Sequence, residues 1–229
     1  TGAGGCGKTR LALQVGASLA DAQLGEGKPR PYANGIWFVD LAPLSDPALV
    51  PQTVAAVFDL RESGETSIAD ILKNYLRAKN LLLVLDNCEH LIEACAKLAD
   101  TLLNAGPNLK ILASSREALG VKGEQAWHVP SLSIPDLKHL PAAEGLSQYE
   151  AVRLFIDRAV LAQPHFAVTN ENAPAVAQIC IQLDGIPLAI ELAAARVKVL
   201  QPDQIAERLG DRFRLLTGGT RTALHHQQT

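Results

Sequence analysis

Thr1-Gly2-Ala3-Gly4-Gly5-Cys6-Gly7-Lys8-Thr9 decides how this chain is read. Gly2, Gly7, Lys8 and Thr9 fill the pattern of glycine, any four residues, glycine, lysine, then serine or threonine, which is that of a phosphate-binding loop. Glycines allow backbone conformations closed to other residues, so successive N–H groups turn inward around an anion. A helix that starts inside the motif adds the positive end of its dipole. Lys8 then reaches the β- and γ-phosphates of a nucleotide, and the Thr9 hydroxyl becomes a ligand of Mg²⁺. Gly4, Gly5 and Cys6 complete the cradle, and Arg10 on the first helical turn joins the nucleotide-binding set. Cys6 has two readings: a small side chain the loop tolerates, or a thiol whose pKa the loop amides lower.

A loop of this kind connects a buried parallel strand to its helix, yet nothing precedes Thr1, and the chain contains no methionine. The expectation is a fragment whose first strand is missing and which is poorly stable alone.

Composition bounds the remaining possibilities. The 229 residues are 48% apolar and 20% charged with a net charge of −3, which describes an ordinary globular chain without a nucleic-acid or membrane-surface footprint. No apolar run approaches the ~20 residues that span a bilayer. Cys6, Cys88, Cys95 and Cys180 show no Cys-x-x-Cys spacing, which fits reduced thiols in the cytoplasm. The six histidines lack zinc-ligand spacing, and no Gly-x-Ser-x-Gly elbow is present.

Read outward from the loop, the pattern is α/β. Residues 8 to about 22 predict a helix, and Gly25 to Asn34 a surface loop. Ile36-Trp37-Phe38-Val39 predicts a buried parallel strand closed by Asp40. Asp46-Pro47 opens a helix expected to run to about Leu60, and Thr66 to Ala78 form another. Leu81-Leu82-Leu83-Val84-Leu85-Asp86 is an apolar run ending in an acid, the signature of a buried strand with a carboxylate at the ligand-binding edge of an open sheet. Asp86 there holds Mg²⁺ opposite Thr9. Asn87 stands where many ATPases carry a second acid, which points to slow hydrolysis or to a base elsewhere. Glu89 is the nearest candidate base, or equally a first-turn glutamate favoured by the helix dipole. A helix over 89–105 precedes a strand at Leu109–Ala113 that runs into Ser114-Ser115-Arg116-Glu117. Arg116 is the candidate γ-phosphate sensor, the alternative being a solvated arginine opening a loop. Gln125 to Val129 predicts a last short strand.

From residue 146 strand-like runs stop, and helices are expected at 147–162, 171–183, 187–200 and 203–209. Gly185 ends one of these, and Pro187 sits at the first position of the next. The predicted organisation is a nucleotide-binding domain at 1–145, a helical domain at 146–209, and a third unit beginning at 210–229.

Together these stretches resemble the signal-transduction ATPases with numerous domains, the STAND class related to AP-ATPases and NB-ARC modules. The similar segments are Gly2 to Ala12, LLVLDNCEHLI at 82–92, ASSREAL at 113–119, LSQYEAVRLFIDRA at 146–159 and DGIPLAIELAAARV at 184–197. The last has Ile186 where the family usually has leucine. LGDRFRLLTGG at 209–219 looks like the lead-in to a winged helix. Many bacterial members are LuxR-type or SARP-type transcription regulators. The resemblance implies a parallel sheet, a helical domain that closes over the base with Pro187 near the adenine, and a missing strand between 109–113 and 125–129. It also implies an ATP/ADP switch with slow Mg²⁺-dependent hydrolysis, in which Lys8, Asp86, Glu89 and Arg116 carry the chemistry. Self-association belongs to the ATP state, and DNA is contacted only by domains outside this stretch. The competing class is a turnover ATPase or phosphotransferase unrelated to transcription.

Overall fold

Leu81 to Asp86 form β2, and all six residues are buried. It lies between β1 (Ile36–Asp40) and β3 (Leu109–Ala113) in a parallel three-stranded sheet of order β1-β2-β3. The computed structural model describes residues 1–22, 31–62, 64 and 66–218. The contacts divide the chain into two compact units between Val129 and Pro130, ahead of residue 146 where the strand-like runs end.

In the first unit the two faces of β2 sort by the period of a strand. Leu81, Leu83 and Leu85 pack in one core with residues of α2 (Val50–Ala56), α3 (Ile68–Leu76) and α4 (Ile92–Ala105). Leu82 and Val84 pack on the opposite face with Ala12 of α1 (Lys8–Ala22). Helices therefore cover both faces, as parallel sheets require. Ser67 caps α3 by accepting the Asp70 N–H at 3.2 Å. The rings of Trp37, Phe58 and Tyr75 meet in sequence at tilted angles, with centroids 4.7 and 5.4 Å apart.

Several local expectations are corrected. β1 is an edge strand, so Phe38 is exposed rather than buried. The helix expected from Asp46 to Leu60 is a 3-10 turn at Pro47–Leu49 followed by the short α2, after which Asp59 turns left-handed at φ 56°. The helix expected from residue 89 begins as a 3-10 turn at Cys88–His90. Gln125 to Val129 form no strand. A strand needs a ladder neighbour along its length, and among the described residues this segment's backbone bonds run to one residue. The Thr1 amino group donates to Trp127 O at 2.6 Å, and the Val129 N–H donates to Thr1 O at 2.9 Å.

The second unit is helical: α5 (Ala143–Leu146), α6 (Glu150–Ala162), α7 (Ala173–Gln182), α8 (Pro187–Ala194) and α9 (Pro202–Gly218). Phe155 is completely buried at its centre beside Val176, Ile179 and Ile190, with Phe166 edge-on at 6.0 Å. Arg158 of α6 bonds Glu191 of α8 at 3.0 Å. Gly185, at φ 65°, ends the α7 turn, and its carbonyl accepts the Leu132 N–H at 3.0 Å. A Cβ at this position would lie 2.3 Å from Leu132 O, so the bond requires glycine. The connector from Pro130 is thereby fastened to the helices. α8 stops at Ala194 and passes into a 3-10 turn, short of the expected residue 200. α9 runs through residue 210 to Gly218, so 210–218 continue a helix. The expected start of a winged helix beyond that point lies outside the described residues.

Candidate functional site

The loop before α1 and the C-terminal ends of β1, β2 and β3 meet in the first unit. Gly5 and Gly7 take φ values of 77° and 92°, conformations that side-chain-bearing residues avoid. The first helical bond of α1 is Leu11 N–H to Gly7 O at 2.9 Å, so the N–H groups of Lys8, Thr9 and Arg10 lie ahead of the ladder, where a helix start offers donors to an anion. Lys8 Nζ folds back across the loop and donates to Gly2 O at 2.8 Å and Ala3 O at 3.0 Å. Cys6 is buried in the loop, while Gly4 and Arg10 are exposed.

Thr9 Oγ1 donates to Asp86 Oδ2 at 2.8 Å. Asp86 is 1% exposed, a position a carboxylate holds when its oxygens are satisfied. Its other oxygen accepts the Ser114 hydroxyl, and Oδ2 also accepts Asn87 Nδ2 at 3.1 Å. Ser114 Oγ in turn accepts the Asn87 N–H at 3.0 Å. The residue that follows β3 thus holds both Asp86 and Asn87.

Glu89 and Arg116 meet each other. Arg116 Nε lies 3.5 Å from Glu89 Oε1, with the arginine side chain largely exposed. Its guanidinium reaches the loop, 3.9 Å from where a Cβ on Gly4 would stand. Glu89 Oε2 and the Ser115 hydroxyl are buried without a hydrogen-bond partner among the described residues. Cys88, just beyond Asn87, is held as a neutral thiol by its hydrogen bond with Cys95 and by burial, which raise its pKa; it is no nucleophile in this state. Pro187 belongs to the second unit, where it opens α8.

No family model matches the chain. Over its whole length it is 47% identical to a proposed HTH-type transcriptional regulator of Mycobacterium tuberculosis, and 40% identical to an uncharacterized protein of the same organism. It spans 23% of the first relative and 53% of the second. Among solved structures it is similar to the ORC2 protein of Aeropyrum pernix, determined as ADPNP–ADP complexes, at 15% identity and a TM-score of 0.43. That likeness covers 91% of this chain and 59% of the other.

The sequence-selected residues of the first unit fall into two groups. Lys8, Thr9 and Asp86 converge with the glycine loop, and Glu89 pairs with Arg116. Sequence reasoning missed Ser114, Asn87 as a bridging amide, and Asp40, whose Oδ1 accepts the second Asn87 Nδ2 bond at 3.1 Å. Their signal was position: each ends or follows a strand at the edge where Asp86 sits. Among the described residues no helix is long and apolar enough to cross a membrane, and no group of three or more His, Cys, Asp or Glu residues could hold a metal.

Proposed function

We propose that this chain is an ATP/ADP-binding switch module of a transcription regulator, with slow Mg²⁺-dependent hydrolysis. One observation carries the reading: the Thr9 hydroxyl and the Asp86 carboxylate, 77 positions apart, share a 2.8 Å hydrogen bond directly beside a glycine-shaped loop and its lysine. The donor types fit the groups proposed. A hydroxyl and a carboxylate oxygen are hard donors that Mg²⁺ accepts alongside waters and phosphate oxygens, and backbone amides with one lysine suit a polyphosphate. When bound, Mg²⁺ and the nucleotide supply the charge and the γ-phosphate that such a switch reports.

Within this reading Gly2, Gly4, Gly5, Cys6, Gly7, Lys8, Thr9 and Arg10 hold the phosphates, and Thr9 and Asp86 the cation. Arg116 exchanges Glu89 for the γ-phosphate, so the two nucleotides favour different states. The resemblance to STAND-class regulators of LuxR or SARP type, and the name of the M. tuberculosis relative, support placing the switch in transcription. Self-association in the ATP state, DNA contacts by other domains and a cytoplasmic location follow from that placement.

Titration of the full-length protein with a fluorescent ADP analogue tests the reading. Lys8→Ala is expected to weaken binding about tenfold or more, the worth of a charged hydrogen bond. Unchanged affinity would sink the assignment. Turnover near 10 s⁻¹, the median for enzymes, would favour a turnover ATPase or phosphotransferase.

A further inference from the structure

Asp40 and Asp86 are register partners at the C-terminal ends of adjacent parallel strands, and the Asn87 amide donates to both, at 3.1 Å in each case. Asn87 reaches between them because its backbone is left-handed, φ 63° and ψ 47°, a conformation asparagine adopts more readily than most residues. Two acids and one amide therefore form a row at the ligand edge of the sheet.

The two acids differ in what remains available. Asp86 is buried with one oxygen committed to Ser114 and the other to Thr9 and Asn87. Asp40 is exposed. Its Oδ1 accepts the Ala42 N–H at 2.9 Å and the Asn87 amide, while Oδ2 has no hydrogen bond among the described residues. A carboxylate fixed through one oxygen and open through the other is suited to hold and orient a water molecule. Glu89 is placed less well, with one oxygen facing Arg116 and the other buried.

We infer that Asp40 is the acid that orients the attacking water in nucleotide hydrolysis, and that Asn87 is the positioning residue that aims it. The inference rests on the proposed nucleotide-binding function. In the step, the water oxygen bonds to the γ-phosphorus as the bond from that phosphorus to the β–γ bridging oxygen breaks. ADP leaves with the electron pair, and the water proton passes to Asp40 Oδ2 and on to solvent. Position 87 then needs no acid of its own, because the neighbouring strand supplies it through the amide.

The test compares Asp40→Asn, Asn87→Asp and the double exchange in the full-length protein, by fluorescent-ADP titration and single-turnover ATP hydrolysis. Asp40→Asn is expected to keep nucleotide affinity within about twofold and to lose about 100-fold or more in hydrolysis rate, the usual worth of such a group. The double exchange swaps acid and amide across the same bridge and is expected to recover at least about tenfold of the loss. Wild-type rates in Asp40→Asn, a double exchange no faster than the single, or affinity lost together with rate each overturn the assignment. A wild-type protein that binds nucleotide without hydrolysing it overturns Asp40 alone. One that binds none overturns the proposed function as well.

Discussion

The Thr9 hydroxyl sits 2.8 Å from the Asp86 carboxylate, joining the start of α1 to the end of the central strand. That bond is one of three that Asp86 receives from side chains, the others coming from Ser114 and Asn87. Asp86→Asn keeps the size of the side chain but turns a donor toward at least one of these donors. A loss of about 1–3 kcal/mol is expected in chemical denaturation, the cost of an unsatisfied buried polar group. Under the proposed function the same variant is expected to bind ATP equally with and without Mg²⁺, and wild-type affinity is expected to respond to the cation.

Ser114→Ala removes the acceptor of the Asn87 N–H and a donor to Asp86 in a single change. Its cost is expected to be about 1–3 kcal/mol, because both groups lie in the interior edge of the sheet. Denaturation midpoints of Ser114→Ala and Asp86→Asn, alone and combined, check it. The two share a network, so their effects should not add.

Gly185→Ala is expected to disrupt the helical unit by about 3 kcal/mol or more. The methyl group would stand 2.3 Å from Leu132 O in a left-handed backbone, which combines overpacking with backbone strain. Amide exchange of Leu132, whose N–H bonds the Gly185 carbonyl, should accelerate more than exchange in the middle of α6.

Phe155→Ala empties the centre of the helical core, where the ring is wholly buried. A loss of about 3–5 kcal/mol is expected from transfer and cavity terms together, measured as a lower denaturation midpoint with the β-sheet signal retained.

Cys180 provides a pH test. Burial pushes its thiol from an ordinary 9.0 up to about 12, so between those values the unfolded chain ionises while the folded one keeps its proton. The unfolded state then binds fewer protons, and stability falls as pH rises from 9 toward 12. Cys180→Ala should flatten that part of the pH–stability curve. Native alkylation at pH 8 should leave Cys180 unmodified.

The sequence carried the parts of this molecule that depend on local chemistry. The glycine loop, the apolar run of β2 with Asp86 at its end, β3 at 109–113 and the Gly185–Pro187 corner each encode their conformation in a few adjacent residues. What stayed hidden depends on partners distant in the chain. Nothing near Gln125–Val129 says that its backbone will meet Thr1 rather than a strand, or near Leu132 that it will bond Gly185. Asn87 reads as a missing acid because its reach to Asp40 depends on the register that sets the ends of β1 and β2 side by side. Nothing in the run Ser114-Ser115-Arg116 says that the Ser114 hydroxyl closes the cage around Asp86.

Lys8 draws its own loop together by bonding the carbonyls of Gly2 and Ala3. The loop between them is braced by these bonds, and the ammonium charge is neighboured by two carbonyl dipoles. Capturing a phosphate there would exchange partners of one side chain instead of freezing a coil, so little conformational entropy would be lost. Under the proposed function, such a loop would favour an anion whose contacts with Lys8 are stronger than those of two carbonyls.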